Sequence, residues 1–118
     1  IKIYVCNVAT QPGETDGYSI TDHLDALLRH LPNGESFFHY VLANNHTGLP
    51  MPPSGRVAAV GPNGHAGQQT GAAIVLADVV DEHNAVRHDS AKLAATLISL
   101  YGERATVPSQ PDRDLLRL

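Results

Sequence analysis

The sequence predicts an α/β fold built on a parallel sheet, and three observations predict it. Two short runs, Ile1–Ala9 and Phe37–Ala43, are apolar on both alternating parities, the pattern of strands covered on both faces. Between them lies one amphipathic segment of helical period, Ser19–Leu31. Strand, helix and strand in that order make a βαβ unit, whose strands run parallel through a right-handed crossover.

In the first run Ile1, Ile3 and Val5 share one parity and Tyr4, Cys6 and Val8 the other, which suits a central strand. Pro12-Gly13 and Asp16-Gly17 then give two turn signals in quick succession. The first helix starts at Ser19 or Thr21. Ser19 followed by Asp22 forms a capping box with Asp in place of Glu, and Asp22 and Asp25 suit the positive end of the helix dipole. Ile20, Leu24, Leu27, Leu28 and Leu31 supply its buried face, worth roughly 8–15 kcal/mol as an upper estimate. A helix this short is marginal alone, so the sheet has to hold it. Pro32-Asn33-Gly34 stops it, and the second strand ends at Asn44-Asn45. The carboxyl ends of both strands, Asn7 to Thr10 and Asn44 to His46, therefore fall on one rim.

From Thr47 to Gly71 prolines and glycines interrupt everything except a short Arg56–Val60 piece, and a loop of that length points to a lid or to disorder. Ala72–Val80 reads as a third strand, Asp81–Asn84 as a turn and Ala85–His88 as a short extended piece. Asp89 caps a second helix over Ser90–Tyr101, with Leu93, Ala94, Leu97, Ile98 and Tyr101 inward and Gly102 just past its end. Residues 1–102 are thus one α/β domain, and 103–118 a charged, proline-bearing tail expected to fray.

One domain is also what 118 residues allow, with core enough to fold without disulfide or metal. A hydrophobic content of 42% with 17% charged residues argues against both wholesale disorder and a membrane span. The net charge of −4, without a Lys/Arg cluster, gives no reason to expect nucleic acid or an anionic membrane as partner. Cys6 is a single cysteine inside an apolar run, expected as a buried thiol in a reducing, cytoplasmic compartment. Strand-like residues begin at position 1 with no cap before them, which suggests a fragment whose N-terminal part is missing.

The stretch Thr10–Ser19 joins a strand's carboxyl end to a helix's amino end, where backbone N–H groups favour anions and where open α/β sheets bind ligands. Thr10, Gln11, Thr15 and Ser19 are suited to phosphate or sugar oxygens. The other reading is a tight turn whose polar residues satisfy their own backbone. Arg87, ahead of the second helix, is suited to clamp a diphosphate bidentately. Its alternative is a surface salt bridge with Asp81, Glu82 or Asp89.

These residues carry a resemblance. The run Ile3–Ser19, followed by Asp22-His23-Leu24, closely resembles the segment that opens the C-terminal third of the YvcK family, bacterial gluconeogenesis-factor and morphogenesis proteins. Phe38–Asn45 and Ala85-Val86-Arg87-His88-Asp89 resemble two further signatures of that family, in the right order. The wider group also holds 2-phospho-L-lactate transferase. The resemblance implies a Rossmann-like three-layer α/β sandwich with a parallel sheet, here a fragment of a larger CofD-like fold. It implies a nucleotide or nucleotide sugar as ligand, UDP-N-acetylglucosamine on the YvcK side, bound by a cytoplasmic regulator of carbon flow and cell-wall supply without turnover. The transferase side implies a guanosine nucleotide and Mg²⁺, with Glu14 or Asp16 holding the ion, and a third reading is a module kept for subunit or partner contacts. Thr10, Gln11, Gly13, Glu14, Thr15 and Arg87 are the expected ligand contacts, with Asn7, Tyr18 and His88 just behind them. No catalytic and no metal-ligating residue is expected, and further copies of the chain are the expected protein partner. Between Thr47 and Gly71 the chain departs from the family: the expected helix, strand and ligand-side aromatic residue are replaced by Pro/Gly-rich sequence.

Other motifs are weaker. Gly61, Gly64 and Gly67 match neither the dinucleotide fingerprint nor a P-loop. His23 and His30 stand two turns apart, too far to chelate one ion, so solvated or core histidines are expected. No Ser-His-Asp or Cys-His arrangement can be read from the spacing.

Overall fold

The computed structural model describes residues 1–32, 37–53, 56–61 and 71–106, with side chains described as far as Arg104. Three parallel strands, β1 (Ile3–Val5), β2 (Tyr40–Asn44) and β3 (Ala73–Ala77), form a sheet in that spatial order. Tyr4 pairs with Val41, and Val41 with Ile74. Helix α1 (Ile20–Leu28) follows β1. After β3 come a small antiparallel hairpin, β4 (Val80–Asp81) and β5 (Asn84–His88), and helix α2 (Ser90–Thr106).

β2 is central and buried at every position, as its two-sided apolarity requires. Its alternating side chains divide the core. Tyr40 and Leu42 pack with Val8, Val75, Val79, Val80 and Leu100 and the half-buried Leu93 and Leu97 of α2. Val41 and Ala43 pack with Cys6, Ile20, Leu24 and Val60 on the α1 side. A helix on each face of a parallel sheet is the three-layer arrangement expected for an α/β chain.

Three expectations change. The first apolar run leaves the sheet after Val5: residues 8–10 turn to pair antiparallel with 58–60, through an Ala9–Ala59 bridge and bonds from Thr10 N to Ala58 O (2.8 Å) and Val60 N to Val8 O (2.9 Å). The third run divides at Asp78 into β3 and β4, and the extended piece at 85–88 is β4's hairpin partner, the register slipping between Val80 and Asp81. Helix α2 runs through Gly102 to Thr106, so the tail begins later, and its inward face is Leu93, Leu97 and Leu100. Leu93 and Leu97 are as expected, but Ala94 is exposed, Ile98 is 72% exposed and Tyr101 63%, because α2 turns Leu100 rather than these three to the core. The expectations placed on residues 33–36, 54–55, 62–70 and 107–118 lie outside the described residues.

Candidate functional site

An open cleft of about 380 Å³ lies at the carboxyl end of β1. Its floor is the departing strand, Asn7–Pro12; Pro52 and Val57 form one wall, Val86 and His88 of β5 the other. This is the rim where parallel sheets place ligands, and the volume sits at the small end of ligand pockets.

The segment departs from the sheet because Thr10 holds a second partner. Its buried hydroxyl accepts a hydrogen bond from Ala58 N (3.0 Å), and its own N–H donates to Ala58 O. On the far wall, His88 Nε2 lies 3.1 Å from Cys6 O and fastens the hairpin to the end of β1. Facing a carbonyl, that nitrogen donates, and Nδ1 has no partner among the described residues. The side-chain amides of Asn7 and Gln11 have no hydrogen-bond partner among the described residues.

Past Pro12 the bend is satisfied from within. Gln11 N donates to Thr15 Oγ1 (2.7 Å) and Gly13 N to Asp16 Oδ2 (2.8 Å), while Glu14 N and Thr15 N both donate to Gln11 O. Gly13 and Gly17 sit at φ of 81° and 72°, where a side chain would be strained. Ser19 and Asp22 complete the reciprocal capping box of α1: Ser19 N donates to Asp22 Oδ2 (2.9 Å) and Asp22 N to Ser19 Oγ (3.3 Å). The Ser19 N–H and hydroxyl hold the Asp22 carboxyl below the usual range. The N–H groups at positions 11, 13, 14 and 15 are thus already bound, and carboxylates take the place an anion would occupy. This is the self-satisfied turn, the second of the two readings open at the level of sequence.

Asn7, Thr10, Gln11 and His88 therefore meet at the cleft, whereas Gly13, Glu14, Thr15, Tyr18 and Arg87 do not line it. Arg87 lies between two cleft residues of β5 and takes the opposite parity. Its side chain is 67% exposed and its Nε donates to Asp81 Oδ2 (3.0 Å). Asp81 is held below the ordinary carboxylate range, first by the N–H of His83 and then by Arg87.

One feature was not legible in the spacing. His46, Asp78 and Glu82 gather just beyond the ends of β2 and β3, with ligating atoms within 4.8 Å of one another. The place of a cation is taken by Lys92, whose Nζ lies 3.0 and 3.1 Å from the Asp78 oxygens, 3.0 Å from Val80 O and 3.5 Å from Glu82 Oε1. Only the fold brings residues 46 and 92 together. His23 is a core histidine, one of the two outcomes expected for it: its Nδ1 is 2.9 Å from Ser19 O, the Tyr18 ring meets it edge-on, and its buried Nε2 has no partner among the described residues.

A parallel α/β sheet with a cleft at its carboxyl rim is the arrangement in which open α/β proteins place ligands, and the sequence names the family. Residues 1–98 match the family model of 2-phospho-L-lactate transferase CofD, and the chain belongs to that family. A gluconeogenesis factor of Listeria monocytogenes is 33% identical over 84% of this chain and 31% of its own length. A Nostoc protein provisionally described in the same way is 36% identical over 86% of this chain and 23% of its own, and the gluconeogenesis factor of Bacillus subtilis is 48% identical over 44 residues, 37% of this chain and 13% of its own. The chain spans about a quarter to a third of the curated relatives that it matches along most of its length.

Proposed function

We propose that this chain forms part of a YvcK-type regulator of carbon metabolism and cell-wall supply, and that the rim cleft receives a nucleotide sugar of the UDP-N-acetylglucosamine kind. The observation that carries the reading is the cleft itself, at the carboxyl end of a parallel strand, with the Asn7 and Gln11 amides uncommitted beside it. Membership of the family and likeness to gluconeogenesis factors support it. In this reading the diphosphate reaches beyond the cleft, round β5 to its other face, where Arg87 keeps four N–H donors after giving Nε to Asp81. The Mg²⁺-dependent transferase reading has less behind it, since Asp16 is engaged by Gly13 N and Lys92 fills the acidic cluster.

Thermal shift on the full-length protein with UDP-N-acetylglucosamine, UDP and GDP, each with and without Mg²⁺, tests this. The UDP-sugar at a hundredfold over Kd is expected to add about 2.7 kcal/mol. A response to GDP alone that needs Mg²⁺ replaces the regulator with the transferase, and no response to any nucleotide overturns both. Arg87→Ala is expected to weaken UDP-sugar binding while costing less than about 1 kcal/mol of unliganded stability, its salt bridge being exposed. Undiminished binding returns Arg87 to a purely structural pairing with Asp81.

A further inference from the structure

We propose that the cleft holds the uncharged ring of the ligand, a nucleobase or a sugar, and excludes its phosphates. The proposal rests on the nucleotide-sugar reading and divides that ligand between two places. Among the described residues neither Lys nor Arg lines the cleft, and the nearby backbone N–H groups of the bend are bound to Thr15, Asp16 and Gln11. A phosphate entering here would lose water and gain no counter-charge from the described lining. An uncharged ring meets the opposite situation. Pro12, Pro52, Val57 and Val86 offer apolar walls. Asn7 and Gln11 each offer a carbonyl and an NH₂, and His88 an uncommitted Nδ1, so donors and acceptors are both available to a ring that carries both.

The volume agrees. A space of about 380 Å³ suits one ring with its substituents, not a whole dinucleotide-sized molecule. Thr10 contributes differently from its neighbours: its oxygen is fixed by Ala58 N, so the hydroxyl proton is what it has left to give. Asn7 and Gln11 are accordingly the specificity-determining side chains, and Thr10 shapes the floor.

The test uses the full-length protein and its Asn7→Ala and Gln11→Ala variants, with UDP-N-acetylglucosamine, uridine, N-acetylglucosamine and inorganic pyrophosphate as probes. Both side chains are exposed, so the variants are expected to fold, and unchanged apo melting points verify it. Each substitution is expected to weaken UDP-N-acetylglucosamine about tenfold, the loss of one or two hydrogen bonds, and to leave pyrophosphate affinity unchanged. Whichever of uridine and N-acetylglucosamine loses its binding in the variants is the ring in the cleft. Equal weakening of pyrophosphate, or full UDP-sugar affinity in both variants, overturns the proposal while the nucleotide reading stands. If no nucleotide binds, perturbation of the Asn7 and Gln11 amide NMR signals by either phosphate-free probe upholds the cleft as a ring site and removes only the nucleotide. Silence from all four probes removes both.

Discussion

At the scale of single residues, Cys6 shows how strongly position decides chemistry. Its side chain is 1% exposed, at the end of a sheet strand, and burial pushes its thiol up from 9.0 to about 11, against the small opposing effect of a hydrogen bond with Tyr4. Thiolate is the reactive form, so the folded protein is expected to resist iodoacetamide at pH 8 and to react on unfolding in urea. Rapid labelling of the native protein would show that the strand end opens. The pH sign follows: with the folded value above the unfolded one, this contribution to stability is complete below the ordinary thiol value and lost as pH rises through about 11. The buried thiol was readable from Cys6 standing in an apolar run. The partnership of Thr10 with Ala58 was not, because forty-eight residues and a proline-rich segment separate them and no local pattern records such a contact.

Among the elements, α1 depends on its first turn. It is nine residues long, too short to stand alone, and the Ser19–Asp22 box supplies two of its end bonds. Ser19→Ala is expected to cost about 1 kcal/mol in urea denaturation. Since Asp22 is held below its ordinary range in the fold, the box is intact above the unfolded carboxylate value and weakens as pH falls through and below about 4. A Ser19→Ala penalty that persists unchanged at pH 3 would mean that the hydroxyl alone matters. The start of α1 was legible because capping is local chemistry. The inward face of α2 was legible only in part: Leu93 and Leu97 face the sheet as expected, but Ala94, Ile98 and Tyr101 continue that stripe as well as Leu100 does, and only packing against the sheet decides between them. The hairpin was hidden. A two-residue strand carries too little pattern to distinguish it from the end of the run before it.

For the molecule as a whole, the sheet with one helix on each face was read correctly, since buried parallel strands announce themselves by apolarity on both parities. The candidate site was legible in part: Asn7, Thr10, Gln11 and His88 come together at the cleft, while the backbone N–H groups of Gly13, Glu14 and Thr15 are bound within their own loop and Arg87 takes the parity of β5 opposite to the cleft residues. Sequence proximity to a rim does not say which side chains the backbone has already claimed. The two faces of α2 give a global test of the packing. Leu100→Ala, at a site with no exposure, is expected to cost about 2–5 kcal/mol, and Ile98→Ala to stay within about 0.5 kcal/mol. Reversed magnitudes would mean that α2 is rotated on the sheet.

The pairing of Tyr40 with Ile3 on one side and with Ala73 on the other joins residues more than thirty positions apart in both directions. No two neighbouring strands of the sheet can therefore find each other by a local turn. Closure entropy is spent before either ladder gives anything back, which places refolding in the slow, millisecond-to-second regime and leaves the apolar β2 segment searching for both neighbours in the meantime. Dilution and low temperature should accordingly decide how much of the chain returns to its native state after denaturant is removed.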